Sequence, residues 1–362
     1  MERKTRLLIF GACLLLFLIV TPYTLLYSLG YRVDFEKWKI LATGGIYVKA
    51  LPQSVNVILD SKISAKTSIF SNSAFLQDLL PKKYNLLVWK EGYGDYKKTL
   101  EVKEKEVTKL ESIILFKNKI EFELIDNGLF PPNQEPKSDN FLMEKNNLYE
   151  SSAIKKKILI IKNILAYKLS SDRIVWLGTD GFLYGSGTDG KNTEKLTLAE
   201  LEVNPESSYS IIILNQQTFV KGNNTLWILN QKEKIFENFY GPVNDIKLSP
   251  NGQKLLYYNN HEILFSNINQ INEKTFLNRF SGKIKDAFWL GDDYIIFSLD
   301  DSIIISETDI RGNINAMTLP NEISVGEKII RVKDPKIYLE QETKRLYILT
   351  EENLILSERL IP

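Results

Sequence analysis

With 362 residues the chain has room for two or three domains and a sizeable core, which excludes one small domain. Its 46 Lys+Arg offset 45 Asp+Glu to leave a formal charge of +1, so no global field gathers nucleic acid or an acidic ligand. One cysteine (Cys13) and one histidine (His261) exclude internal disulfides, paired-cysteine knuckles and multi-histidine metal sites. The composition therefore points away from most enzymes: no cofactor, no metal and no nucleic-acid partner are expected, and no catalytic residue is singled out.

The first feature in chain order is the uncharged stretch 7–31, whose 25 residues exceed the roughly 30 Å hydrocarbon core of a bilayer when helical. Pro22 is tolerable in a membrane helix, and Tyr23, Tyr27 and Tyr31 gather at the far end, where aromatic rings favour the interface. Arg3, Lys4 and Arg6 precede the span, whereas mixed charges (Arg32, Asp34, Glu36, Lys37, Lys39) follow it. The positive-inside rule then places the N-terminus in the cytoplasm and the rest outside the cell membrane. Residues 1–31 read as a single-pass anchor whose partner is the lipid bilayer, and 32–43 as a linker. A cleaved signal peptide, with Ser28 and Gly30 as small residues before the cut, and a buried soluble helix are the alternatives.

Over 44–116 the pattern becomes short β-prone runs. Ile46 and Val48, then Val55, Val57 and Leu59, recur with the period of two of a half-buried strand, and Pro52, Asp60-Ser61, Pro81 and Gly92 punctuate them. A compact antiparallel sandwich is the simplest assembly. The charged run 101–111 reads as a solvated strand or sheet edge. Tyr84, Trp89 and Tyr93 read as packing residues, with a carbohydrate-stacking platform as the functional alternative.

This segment resembles the PEGA domain family in Gly45-Ile46-Tyr47-Val48, Pro52 through Val55, Val57-Ile58-Leu59-Asp60, Leu80-Pro81 and Gly92-Tyr93. It departs from that pattern where Gln53-Ser54-Val55 stands for Glu-Gly-Ala, Ser61 for the turn glycine, and Lys82 for the usual Gly. The resemblance implies a noncatalytic extracytoplasmic β module.

The remaining 117–362 repeats itself. Segments 173–185, 217–229, 254–266, 294–306 and 345–357 share one layout: an apolar strand, a polar turn, a second apolar strand. They recur on average every 43 residues, the spacing of a four-stranded propeller blade. Further strands precede the hairpins, at 243–248 and 284–289. A degenerate copy at 141–150 brings the expectation to six blades, with five as the alternative. Residues 120–124 are placed to pair with the chain end and close the ring, and Pro131-Pro132 reads as a loop. Leu248-Ser249-Pro250-Asn251-Gly252 resembles the Ser-Pro-Asp-Gly repeat of TolB-like and WD-type propellers, with Asn251 in the Asp place. An open solenoid or two sandwiches also fit the irregular spacing.

Candidate chemistry is thin. Gly185 through Gly190 matches GxGxxG, but no helix or βαβ unit follows, so a turn between strands is the better reading. Asp180, Asp189, Asp292, Asp293, Asp300 and Asp301 offer oxygen ligands without any complete calcium loop. His261 sits in a turn with no nucleophile elbow elsewhere in the chain, and Trp176, Trp227 and Trp289 fall on repeat strands, where packing is expected. The fold class is mainly all-β: a transmembrane helix, a PEGA-like β-sandwich and a β-propeller. The expected function is a non-enzymatic, membrane-anchored extracytoplasmic binding or scaffold protein that recognises a protein or cell-envelope polysaccharide. Its binding residues are not identifiable from sequence. An envelope hydrolase with paired carboxylates in the propeller mouth and a purely structural spacer are the alternatives.

Overall fold

The computed structural model describes residues 3–35, 38–125, 141–151, 157–170, 172–214, 217–326 and 328–361. Pro131-Pro132, Glu36 and Lys37 lie outside the described residues, as do the side chains of Arg3 and Lys4. The protein is mostly β, with one apolar helix at the N-terminus and many small sheets.

Helix α1 (Arg3–Ser28) runs unbroken through Pro22. Over Thr5–Ser28 it is long and apolar enough, by length and composition, to cross a membrane, and none of its apolar window packs against the rest of the protein. The hydroxyls of Thr24 and Ser28 donate to the carbonyls of Thr21 and Leu25, so these two polar side chains are satisfied within the helix, as an apolar solvent requires.

The stretch read as a linker is instead a two-stranded hairpin, Tyr31–Asp34 paired with Lys39–Ala42. Its base is bonded to the helix end. The Thr43 backbone N–H and hydroxyl both donate to the Gly30 carbonyl at 2.8 Å, and the Arg32 guanidinium donates to the Tyr27 carbonyl while stacking on the Tyr27 ring.

The small domain has two packed sheets. In one, the strand Gly44–Leu51 lies between Ser73–Leu79 and Val107–Ile114; the other has the order Ile63–Lys66, Asn56–Leu59, Lys83–Trp89, Tyr96–Glu101. The alternation read from sequence holds: Ile46, Val48, Val55, Val57 and Leu59 are buried and share one core with Leu86, Val88 and Leu100. Gly44 is required because a Cβ there would sit 2.3 Å from the Lys103 carbonyl oxygen. The purely antiparallel expectation fails at one pairing, since Val107–Ile114 runs parallel to Gly44–Leu51. The chain reaches it from the opposite sheet rather than through a tight turn, and such a crossover is what a parallel pair needs. The charged run thus ends in a strand at a sheet edge, as its composition suggests.

Six sheets follow among the described residues, numbered I to VI. Sheet I contains Phe141–Glu144, Asn147–Ser151 and Lys157–Lys162. Sheet II is Ile164–Ser170, Arg173–Gly178, Leu183–Gly187 and Glu194–Lys195; sheet III is Tyr209–Leu214, Gln217–Gly222, Thr225–Asn230 and Ile235–Tyr240. Sheet IV is Asp245–Leu248, Lys254–Tyr258, Glu262–Asn267 and Lys274–Arg279; sheet V is Ile284–Trp289, Tyr294–Leu299, Ser302–Glu307 and Ala316–Thr318. Sheet VI holds Lys336–Glu340, Arg345–Leu349 and Leu354–Arg359, and its fourth strand is Phe122–Leu124 from the start of the region. Each of the five aligned hairpins forms the second and third strands of its sheet, and the degenerate copy forms the hairpin of sheet I. An additional hairpin, Glu322–Val325 with Lys328–Arg331, separates sheets V and VI.

A four-stranded sheet with two apolar faces cannot cover itself, so each is stabilised by its neighbours. The cores show this arrangement: one links sheets I and II, the next II and III, then III and IV, IV and V, and V and VI.

Candidate functional site

The small domain meets sheet V at the strand Tyr96–Glu101, whose period of two turns Tyr96, Lys98 and Leu100 inward. A lysine on a buried face needs a partner, because desolvating an isolated ammonium is costly. The partner is Glu307, the last residue of the third strand of sheet V. The Lys98 Nζ donates to Glu307 Oε1 at 2.7 Å, to the Asp309 carbonyl at 2.9 Å and to the Asn313 carbonyl at 3.1 Å, which uses all three donors. Glu307 also accepts from the Tyr96 hydroxyl at 2.8 Å and from the Asn315 backbone and side-chain amides at 2.7 and 2.8 Å. Burial first, then the Glu307 charge, pushes the Tyr96 hydroxyl far above its ordinary range, so it remains a donor.

The loop after Glu307 covers the outer edge of this strand. Asn315 Oδ1 accepts from the Lys97 N–H and Asn313 Oδ1 from the Thr99 N–H, while Asn313 Nδ2 donates to the Lys97 carbonyl. Two side-chain amides thus take the place of a neighbouring strand on an open edge. Gly312, at φ +65°, lets the loop pass close: a Cβ there would stand 2.2 Å from the Thr99 carbonyl oxygen. On the other side, the Ile114 N–H donates to the Tyr294 hydroxyl and Phe116 meets the Tyr294 ring edge-on at 5.5 Å.

Beside this junction is a cleft of about 260 Å³, lined by Lys109, Glu111 and Ser112 from the small domain and by Lys254, Asp293, Thr308, Asp309 and Arg311 from the sheets. The volume is below the roughly 300 Å³ at which small-molecule sites begin, so the cleft suits one small polar group. Its charges are largely matched. Arg311 binds Asp309 through Nε and Nη2 and donates to the Lys109 carbonyl; Lys254 pairs with Asp293 at 2.6 Å and donates to the Asp292 carbonyl. Burial raises the Asp309 carboxyl, but the Arg311 hydrogen bonds together with the Lys98 and Arg311 charges hold the group below its ordinary range.

The residues singled out in the sequence take local roles. In the GxGxxG segment Asp189 accepts from the Lys191 N–H and Gly190 donates to the Gly187 carbonyl, forming a turn after a strand. Asp180 holds Phe182 and Tyr184, Asp292 accepts from the Asn251 N–H, Asp300 from that of Lys283 and Asp301 from that of Asp334. No group of three or more His, Cys, Asp or Glu suited to a metal occurs among the described residues. His261 is exposed in its turn, with Nδ1 on the Gly282 carbonyl. Trp176 stacks on Tyr184, Trp289 donates to the Lys247 carbonyl, and Trp227 packs on the core of sheets II and III. Tyr84 and Trp89 point to opposite faces of one strand and so share no platform. Asn251 organises the Ser-Pro-Asn-Gly turn, accepting from Ser249 and from the Gln253 N–H.

No protein-family model matches the chain, and no curated protein matches it. Among solved structures it is similar to the extracellular domain of a hybrid two-component system of B. thetaiotaomicron, at 12% identity and a TM-score of 0.38 over 76% of this chain. It is similar also to Hsv2 of Kluyveromyces lactis, at 12% identity and a TM-score of 0.37 over 56% of this chain. The matches span 37% and 63% of those two chains.

Proposed function

We propose that this chain is a membrane-anchored, extracytoplasmic binding or scaffold protein without catalytic activity. In this reading α1 is a single-pass anchor with its N-terminus in the cytoplasm. The small domain is a PEGA-like stalk, and sheets I to VI form a six-bladed propeller that presents its surface to a protein or an envelope polysaccharide. The observation that carries the reading is a pair of bonded joints. Arg32 and Thr43 tie the first hairpin to the end of an exposed apolar helix, and the buried Lys98–Glu307 pair ties the small domain to sheet V. Such joints serve display at a fixed height and orientation.

The test has two arms. Protease added to intact cells is expected to cleave the sheets from outside; cleavage only after lysis overturns the topology. Full-length chain in detergent is then co-sedimented with isolated envelope polysaccharide, with retention and unchanged polymer length expected. Shortened polymer would favour a hydrolase instead.

A further inference from the structure

The tip of the first hairpin carries two large aromatic side chains that are largely exposed among the described residues. Phe35 is 73% and Trp38 82% exposed, their rings meet edge-on at 6.3 Å, and Ile40 beside them is also exposed. Trp38 sits at φ +50°, a conformation bulky residues rarely adopt. An isolated exposed apolar residue needs no explanation, but an exposed aromatic pair at the tip of a short hairpin, with Trp38 in a strained backbone conformation, does.

We propose that Phe35 and Trp38 bed in the boundary between headgroups and acyl chains of the phospholipid bilayer, as a second membrane contact beside α1. The argument is one of reach. The 24 residues Thr5–Ser28 span about 36 Å, longer than the roughly 30 Å hydrocarbon core, so the end of the helix lies in the headgroup layer. The hairpin base is bonded to Tyr27 and Gly30 at that end. A four-residue strand extends only about 13 Å, which keeps the tip within reach of the same layer. Tyr23 and Tyr27 on the helix are exposed at this level, and tryptophan and tyrosine favour it. Lys39 and Lys105, the latter over the Tyr31 ring, place cations near lipid phosphates, while Arg32 is held by Asp78 at 2.9 Å. The bilayer is thus the surface continuous with the hairpin.

This inference rests on α1 spanning the membrane, and the lone cysteine allows the two to be tested apart. The full chain is reconstituted in nanodiscs of zwitterionic and anionic phospholipid and labelled with a small fluorophore at native Cys13. In a Cys13→Ser background it is labelled at Phe35→Cys or at Phe70→Cys, the latter a fully exposed loop residue of the small domain. Quenching of Cys13 by nitroxide deep in the acyl chains reports the span. Quenching at position 35 by nitroxide near the headgroups, several-fold stronger than at position 70, is the expected result. If position 35 is as open to aqueous iodide as position 70 while Cys13 stays lipid-quenched, the tip contact is overturned and the anchor stands. Shielding of position 35 from both iodide and lipid nitroxide overturns it as well, because protein then covers the tip. Loss of lipid quenching at Cys13 removes the anchor and this inference with it.

Discussion

Asp286 shows how a single side chain sets a pH dependence. It lies on the first strand of sheet V, where its Oδ2 accepts from the Ile337 N–H of sheet VI at 3.1 Å. Lys247 of sheet IV, Lys285 of its own strand and Lys336 of sheet VI face it, and Asp245 lies near enough that both carboxylates act on Tyr258. Burial nonetheless raises the Asp286 carboxyl above its ordinary value of 3.8, and burial likewise lowers the Lys247 ammonium. A carboxyl raised in the folded state keeps its proton there after the unfolded chain has released it. Stability from this group therefore falls as pH rises through the ordinary carboxylate value toward the folded one, and the loss is complete above both. Asp286→Asn retains an oxygen for the Ile337 N–H while removing the desolvated charge. Its thermal midpoint is expected to exceed that of the parent at neutral pH and to equal it below the ordinary carboxylate value. A midpoint difference independent of pH would contradict this account.

At the scale of elements, the strand Phe122–Leu124 joins the beginning of the repeat region to its end, pairing Phe122 with Ser357 and Leu124 with Ile355. The flanking bonds from the Glu358 N–H to the Glu121 carbonyl and from the Ile125 N–H to the Leu354 carbonyl show which residues face into the ladder. By the alternation of an antiparallel pair, Glu123 is one of them. Glu123→Pro removes a donor from that edge. The expected cost is about 1 kcal/mol, seen as roughly five- to tenfold faster amide hydrogen exchange at Leu356 and Glu358, with sheets II to IV unaffected. Unchanged exchange would mean that the strand contributes nothing to holding the last sheet. The pairing of this strand with the chain end was legible in the sequence, as were the hairpins, because both are written in local alternation. The parallel strand Val107–Ile114 was not. Its own pattern fixes which face is buried, but its partner is set by a crossover between sheets that no local pattern records. The first hairpin was missed for a related reason: four-residue strands carry too few alternations to be distinguished from a linker.

The junction decides whether the molecule behaves as one body, and the sequence reading did not find it. In Tyr96–Glu101 Lys98 lies on the buried side with Tyr96 and Leu100, and a buried lysine needs a counter-charge that no local pattern records. That the counter-charge is Glu307, 209 residues away, follows only from the packing of sheet V against the small domain. Breaking such a pair by removing one partner typically costs about 3–5 kcal/mol, because the remaining charge stays buried. Lys98→Met leaves Glu307 with three neutral donors and no cation, so the junction should open before either domain unfolds. With spin labels on Phe70→Cys in the small domain and Lys232→Cys in sheet III's turn, both exposed, and Cys13 replaced by Ser, the parent is expected to give one narrow distance distribution. Lys98→Met should broaden it. Lys98→Met combined with Glu307→Gln should narrow it again, since the double change removes both charges and leaves the glutamine with the Tyr96 and Asn315 donors. A distribution equally broad in the parent would show that the buried pair does not fix the domains, and a stalk that holds the sheets at a set orientation would then have no mechanical basis.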